Sequence, residues 1–132
     1  MVLMDGGGRE RMRLQVLNDG SPGVALVDSA NRTRVVLAVL PDRTATLVLA
    51  DPAGRTRTVL GLNPSGASTV VFADRAGRTK AGFGVDASGA ATFTLYDRAG
   101  APDRSFRTSD DVDHTPPDAG SPQEAAKSGA RP

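Results

Sequence analysis

The sequence predicts an all-β protein, an antiparallel up-and-down meander of four to five repeats, each of 23 residues and two strands. Three observations carry that expectation. The stretch 46–57, an apolar run followed by Asp-x-x-Gly-Arg-x-Arg, matches itself when the chain is shifted by 23 residues, and a fixed period of this size marks a repeat architecture. Within each repeat, large apolar residues alternate with small or polar ones, which is the period of a strand and not of a helix. Between the runs, Asp, Asn, Pro, Ser and Gly stand at fixed places, and these are turn residues.

The chain opens with a partial copy, 1–11, in which Leu3, Met4, Asp5, Gly8, Arg9 and Arg11 hold the places of the second half of a repeat. Complete repeats follow at 12–34, 35–57, 58–80 and 81–103. The first run of each carries Leu14/Val16, Leu37/Val39, Leu60/Leu62 and Phe83/Val85. The second carries Val24/Leu26, Leu47/Leu49, Val70/Phe72 and Phe93/Leu95. These large residues are expected to form one buried face. The opposite face is small and apolar in the middle repeats: Val36, Ala38, Val48, Ala50, Val59, Gly61, Val71 and Ala73. Residues 103–107 match the start of a further unit, so about eight to ten strands are expected.

One family of turns starts at Asp28, Asp51, Asp74 and Asp97, with Asn31, Gly54, Gly77 and Gly100 three residues on. Asp first and Gly fourth is the type I signature, and Gly takes the positive φ of a following bulge. Asn is the best substitute in that conformation. The other family reads Asn18-Asp19-Gly20, Pro64-Ser65-Gly66 and Ala87-Ser88-Gly89. Arg43 stands where this family has Gly, and the sequence offers no reason for it.

Composition narrows the function classes. The chain has no cysteine, which excludes disulfides and thiolate metal sites. Its single histidine is His114. No apolar run approaches the ~20 residues of a membrane helix. No charged segment leads into a long apolar one at the N-terminus, so a cleaved signal is not expected; this points to a cytoplasmic protein but leaves localisation unknown, with an exported or surface-associated one still open. Residues 108–132 are rich in Pro and small polar residues, keep Val112 as the one larger aliphatic, and carry a net charge of −3. Such a tail buries too little to offset its ordering entropy and is expected to be disordered. The repeat region, 1–107, is then at +4, too weakly basic for a dedicated nucleic-acid binder.

A sheet apolar on both faces at its centre needs a covering layer. One closure pairs the terminal strands within the chain, giving a flattened barrel or sandwich. The other completes the sheet between copies in a homo-oligomer, a trimer being one form.

The piece Leu95-Tyr96-Asp97-Arg98-Ala99-Gly100 resembles the YD-type repeats of large bacterial secreted and surface proteins. Val27, Ala50 and Ala73 stand where that family prefers Tyr. More broadly, the chain resembles tandem β-hairpin repeat proteins of uncharacterised bacterial families. The resemblance implies a bacterial β-repeat scaffold over 1–107 and carries over no site residues.

The strongest candidate for chemistry is the Arg-x-Arg row: Arg32, Arg34, Arg55, Arg57, Arg78 and Lys80, with Arg9 and Arg11 before them. Equivalent turns of a meander lie two strands apart, about 9.5 Å. The row then forms a ladder along one edge that could hold an acidic polysaccharide. Nucleic acid is disfavoured because no aromatic residues interleave to stack bases. The competing reading pairs each Arg with the Asp row, keeping the edge soluble. The Asp row itself reads as turn caps, because the glycine-rich nonapeptide of calcium-binding β-rolls is missing. Gly6-Gly7-Gly8 lacks the helix and Lys-Ser/Thr of a phosphate loop. The expectation is a non-enzymatic structural or interaction scaffold without cofactors, self-assembling as a homo-oligomer. The alternatives are an acidic-polymer binder using the basic edge and a barrel carrying a small apolar ligand.

Overall fold

The structure, a computed structural model, describes residues 1–108. Ten strands follow one another: β1 (Val2–Met4), β2 (Glu10–Val16), β3 (Pro22–Val27), β4 (Thr33–Val39), β5 (Ala45–Ala50), β6 (Thr56–Leu62), β7 (Ser68–Ala73), β8 (Thr79–Val85), β9 (Ala91–Tyr96) and β10 (Pro102–Arg107). They pair antiparallel in chain order as one sheet. The two-strand, 23-residue unit is therefore the building block of the fold. The tail expected to be disordered lies outside the described residues, except for Thr108. Its amide donates to the Ala91 carbonyl at 2.9 Å, extending the last strand pair.

All nine connections share one geometry, whichever end of the sheet they occupy. In the turn opened by Asp51, the Gly54 amide donates to the Asp51 carbonyl at 2.8 Å. The Asp51 amide donates to the Arg55 carbonyl at 2.8 Å, closing the hairpin. This is a type I turn followed by one residue in the left-handed region. The second family of turns is the same unit, opened one residue earlier than the sequence pattern implied, by Leu17, Leu40, Asn63 and Asp86. Arg43 takes φ +70° and Asn31 φ +59°, as Gly54 takes +76° at the matching place. Arg43 thus occupies a glycine position at a steric cost, and nothing in the structure explains it.

Register makes each face a set of straight rows. Leu14, Val24, Leu37, Leu47 and Leu60 stand directly opposite one another from β2 to β6. The row continues through Val70, Phe83, Phe93 and Phe106 to β10. Contiguous rows of this kind are the cross-strand pairs that stabilise a sheet. On the other face the middle row reads Ala25, Val36, Val48, Val59, Val71 and Gly82. The next row alternates small and β-branched residues, so that Thr69 lies over the bare backbone of its neighbours. A Cβ placed on Gly84 would sit 3.3 Å from the Thr69 methyl.

Two expectations need correction. The first is closure within the chain. Among the described residues, β1 and β10 each pair on one side only, and no strand touches any but its sequence neighbours. The sheet is neither a hydrogen-bonded barrel nor a self-packed sandwich, and it encloses no interior for a carried ligand. Every one of its hairpins turns straight back onto the previous strand, so the described residues have no long connection with which to lay a second layer on the first. The second correction concerns which face is covered. The Leu/Val/Phe columns are half-exposed: Leu37 is 52% and Phe83 48% accessible. The best-buried residues are small and belong to the opposite face, Ala25 and Ala38 at 6% each, with Ser21 at 1% beside a turn. In one layer a short side chain hides between its neighbours, while a long one standing off the pleat cannot.

Candidate functional site, a basic edge and an apolar face

The turns opened by Asp5, Asp28, Asp51, Asp74 and Asp97 all fall at the same edge of the sheet, because each follows an odd-numbered strand. That edge gathers eleven cations and seven anions, and so holds the whole +4 of the described region. The rest of the sheet is balanced: Arg13, Arg43 and Arg107 against Asp19, Asp42 and Asp86.

The two halves of Arg-x-Arg sit differently. The first arginine follows the turn directly. The second occupies a β-bulge: the partners of β3 step from Val35 to Thr33, leaving Arg34 as the extra residue. Arg57 and Lys80 are skipped in the same way. A bulge re-aims its side chain. Arg34 uses this to donate from Nε to the Ala50 carbonyl at 2.8 Å, while its Nη1 lies 3.5 Å from Asp28 Oδ2. The ladder is therefore stitched sideways, from one repeat to the next. Arg32 likewise donates to the Pro52 carbonyl, and Lys80 to the Asp97 carbonyl.

Arg55, Arg57 and Arg78 face carboxylates. Arg55 Nε is 3.1 Å and Arg57 Nη1 3.6 Å from Asp51 Oδ2, and Arg78 Nε is 3.1 Å from Asp74 Oδ2. Of the six residues singled out from the sequence, Arg34, Arg55, Arg57 and Arg78 are ion-paired, while Arg32 and Lys80 meet, among the described residues, only backbone carbonyls. The bulge that follows the turn glycine is legible in the sequence, whereas this second bulge, at Arg34, Arg57 and Lys80, and the carbonyl partners are not.

The aspartates themselves are caps, as read from the sequence. Asp51 Oδ1 accepts from the amides of Ala53 (2.9 Å) and Arg55 (3.1 Å), and Asp74 Oδ1 repeats this with Ala76 and Arg78. Where the opening residue is Leu17 or Leu40, the cap moves two places on. Asp19 then accepts from the Ser21 amide at 3.0 Å and Asp42 from the Thr44 amide at 2.9 Å.

These bonds stabilise the charged form. The amides of Arg32, Arg78 and Ala101 hold Asp28, Asp74 and Asp97 below the usual carboxylate range. The Ser21 and Thr44 amides do so for Asp19 and Asp42, and the Ser88 hydroxyl for Asp86. At Asp51 burial pushes upward, but the Arg55 and Ala53 amides and the Arg55 side chain outweigh it. A carboxylate with a depressed folded-state pKa adds stability above its unfolded value, and that stability is lost as pH falls through the folded value. The melting temperature is expected to be flat above about pH 5 and to fall steadily below about pH 4. Asp51→Asn together with Asp74→Asn, which keep the Oδ1 acceptor, should make the acid limb shallower. A limb identical to that of the parent chain would contradict the capping assignment.

The second feature is the apolar face. From β2 to β9 its three rows hold no charge, and Thr58 and Ser68 are their only polar side chains. Near one end lies a shallow apolar groove of about 620 Å³, lined among others by Leu14, Val16, Pro22, Val24, Leu37 and Val39.

Fold and surfaces together define a class: a single-sheet, tandem β-hairpin repeat protein with a basic edge and an unpartnered apolar face. Compared with known proteins, the chain matches no family model and no curated protein. Among the described residues no helix is long and apolar enough to cross a membrane.

Proposed function

We propose that this protein is a non-enzymatic, self-assembling scaffold. One observation carries the reading: among the described residues, a sheet of ten strands leaves its Leu/Val/Phe face uncovered. Continuous apolar surface beyond a few hundred Å² marks an interaction site. The repeats supply a long, regular and chemically uniform surface, which suits assembly better than it suits a reaction centre. Light scattering on the full chain at micromolar concentration is the test. An oligomer is the expected result, and a strict monomer would sink the reading.

A second reading draws on the basic edge. The whole net charge of the described region lies there, and among the described residues Arg32 and Lys80 make no ion pair. An extended acidic polysaccharide would run along the turns from repeat to repeat. Retention on heparin at low salt, lost steeply as salt rises, would favour this use of the edge. Its absence would leave the edge as solubilising charge.

A further inference from the structure

Resting on the self-assembly reading, we infer that the apolar face meets a second copy of this chain, packed sheet on sheet about a twofold axis parallel to the strands. The Phe-bearing strands of one copy then fill the groove of the other, and reciprocally.

Three observations single out this occupant. The first is area. Eight strands about 4.8 Å apart, carrying three rows about 6.7 Å apart, present roughly 38 by 20 Å, or about 760 Å². A standard interface takes about 800 Å² from each partner. The second is charge. The face bears none between β2 and β9, so an identical face opposes it without burying an unpaired ion. The segment beyond Thr108, with Val112 as its one larger aliphatic and an acidic balance, has nothing comparable to lay on it.

The third observation decides the orientation. All four phenylalanines of the chain, Phe72, Phe83, Phe93 and Phe106, lie on β7 to β10 and on this face. They stand proud of the sheet, and Phe106 stacks on Phe93 with ring centroids 6.4 Å apart. The groove lies at the other end, on β2 to β5. An axis across the strands would set each strand over its own copy, ring on ring and groove on groove. An axis along the strands sets β2 over β9 and β3 over β8, so Phe93 and Phe83 come down on Leu14 and Val24. A closed twofold contact requires this reciprocity, residue i on j and j on i. The same axis brings both basic edges to one end, about 10 Å apart. That separation is about one Debye length at 0.1 M salt, so the repulsion is screened while buried aromatic surface is not. The dimer should tighten, not loosen, as salt is raised.

The chain has no cysteine, which makes single-cysteine variants of the full protein clean probes. Leu37 on β4 and Val70 on β7 share the central row and face each other across the proposed axis. Leu37→Cys and Val70→Cys, mixed and treated with a short bis-maleimide, are expected to give a covalent heterodimer. Either variant alone should stay uncross-linked, since its own copy lies three strands away. Self-cross-linking as strong as that of the mixture would overturn the orientation. An oligomer that never cross-links would overturn the choice of face while leaving self-assembly standing, whereas a monomeric parent chain would remove both. Phe83→Ala and Phe93→Ala should each weaken dimerisation about tenfold with unchanged strand circular dichroism. Undiminished dimerisation in both would also overturn the proposal.

Discussion

Ala38→Asp is expected to destabilise the sheet by about 2–4 kcal/mol, whereas Leu49→Asp costs the isolated chain much less and its assembly much more. Ala38 is 6% exposed on the small-residue face. A carboxylate there has no free donor among Gly23 and Thr46, its partners in register, and burying an unpaired charge is among the costliest single changes. Leu49 stands on the opposite face and is 39% exposed, so a carboxylate in its place reaches water. Chemical melts of both variants, run dilute enough to keep the chain monomeric, would rank them. Equal or reversed costs would mean that the large-residue face is already covered within one chain.

Changes at the turn position with positive φ should act in opposite directions. Gly54→Val and Gly77→Val are expected to cost over about 1 kcal/mol each, and Arg43→Gly to add about 0.5–1 kcal/mol. The three residues occupy equivalent places at φ +76°, +77° and +70°. An added Cβ at Gly54 or Gly77 would meet no atom within 4 Å, so any penalty is backbone strain and not a clash. β-Branched valine suffers most in this region. Arg43 already carries that strain and makes no hydrogen bond through its guanidinium among the described residues. Its replacement by glycine therefore removes a cost without removing a contact, although the freer unfolded chain takes back part of the gain. Unchanged melts in all three variants would mean that the turns relax, and that the shared hairpin geometry is softer than its hydrogen bonds imply.

Much of this molecule is written locally. A turn with a capping Asp, a fourth residue free to take positive φ, and flanking alternation of period two suffice to form one hairpin. Copying them every 23 residues makes the meander, and both could be read from Asp51, Gly54 and the runs around them. The ladder of Arg32 to Lys80 was legible for the same reason, since equivalent turns must share an edge. Its sideways stitching was not. Whether Arg34 meets a carboxylate or the next repeat's Ala50 carbonyl depends on where a bulge aims it, and the bulge is a matter of pairing between strands.

The residues alone established the repeat, the strand pairing and the row of caps, because each depends on contacts within one hairpin. They left open whether the sheet turns back on itself and which side is covered. Hydropathy marked Leu37 and Phe83 as core, yet in the folded chain the small Ala25 and Ala38 are the hidden ones. Burial is a property of layers, and no single strand encodes how many layers there are.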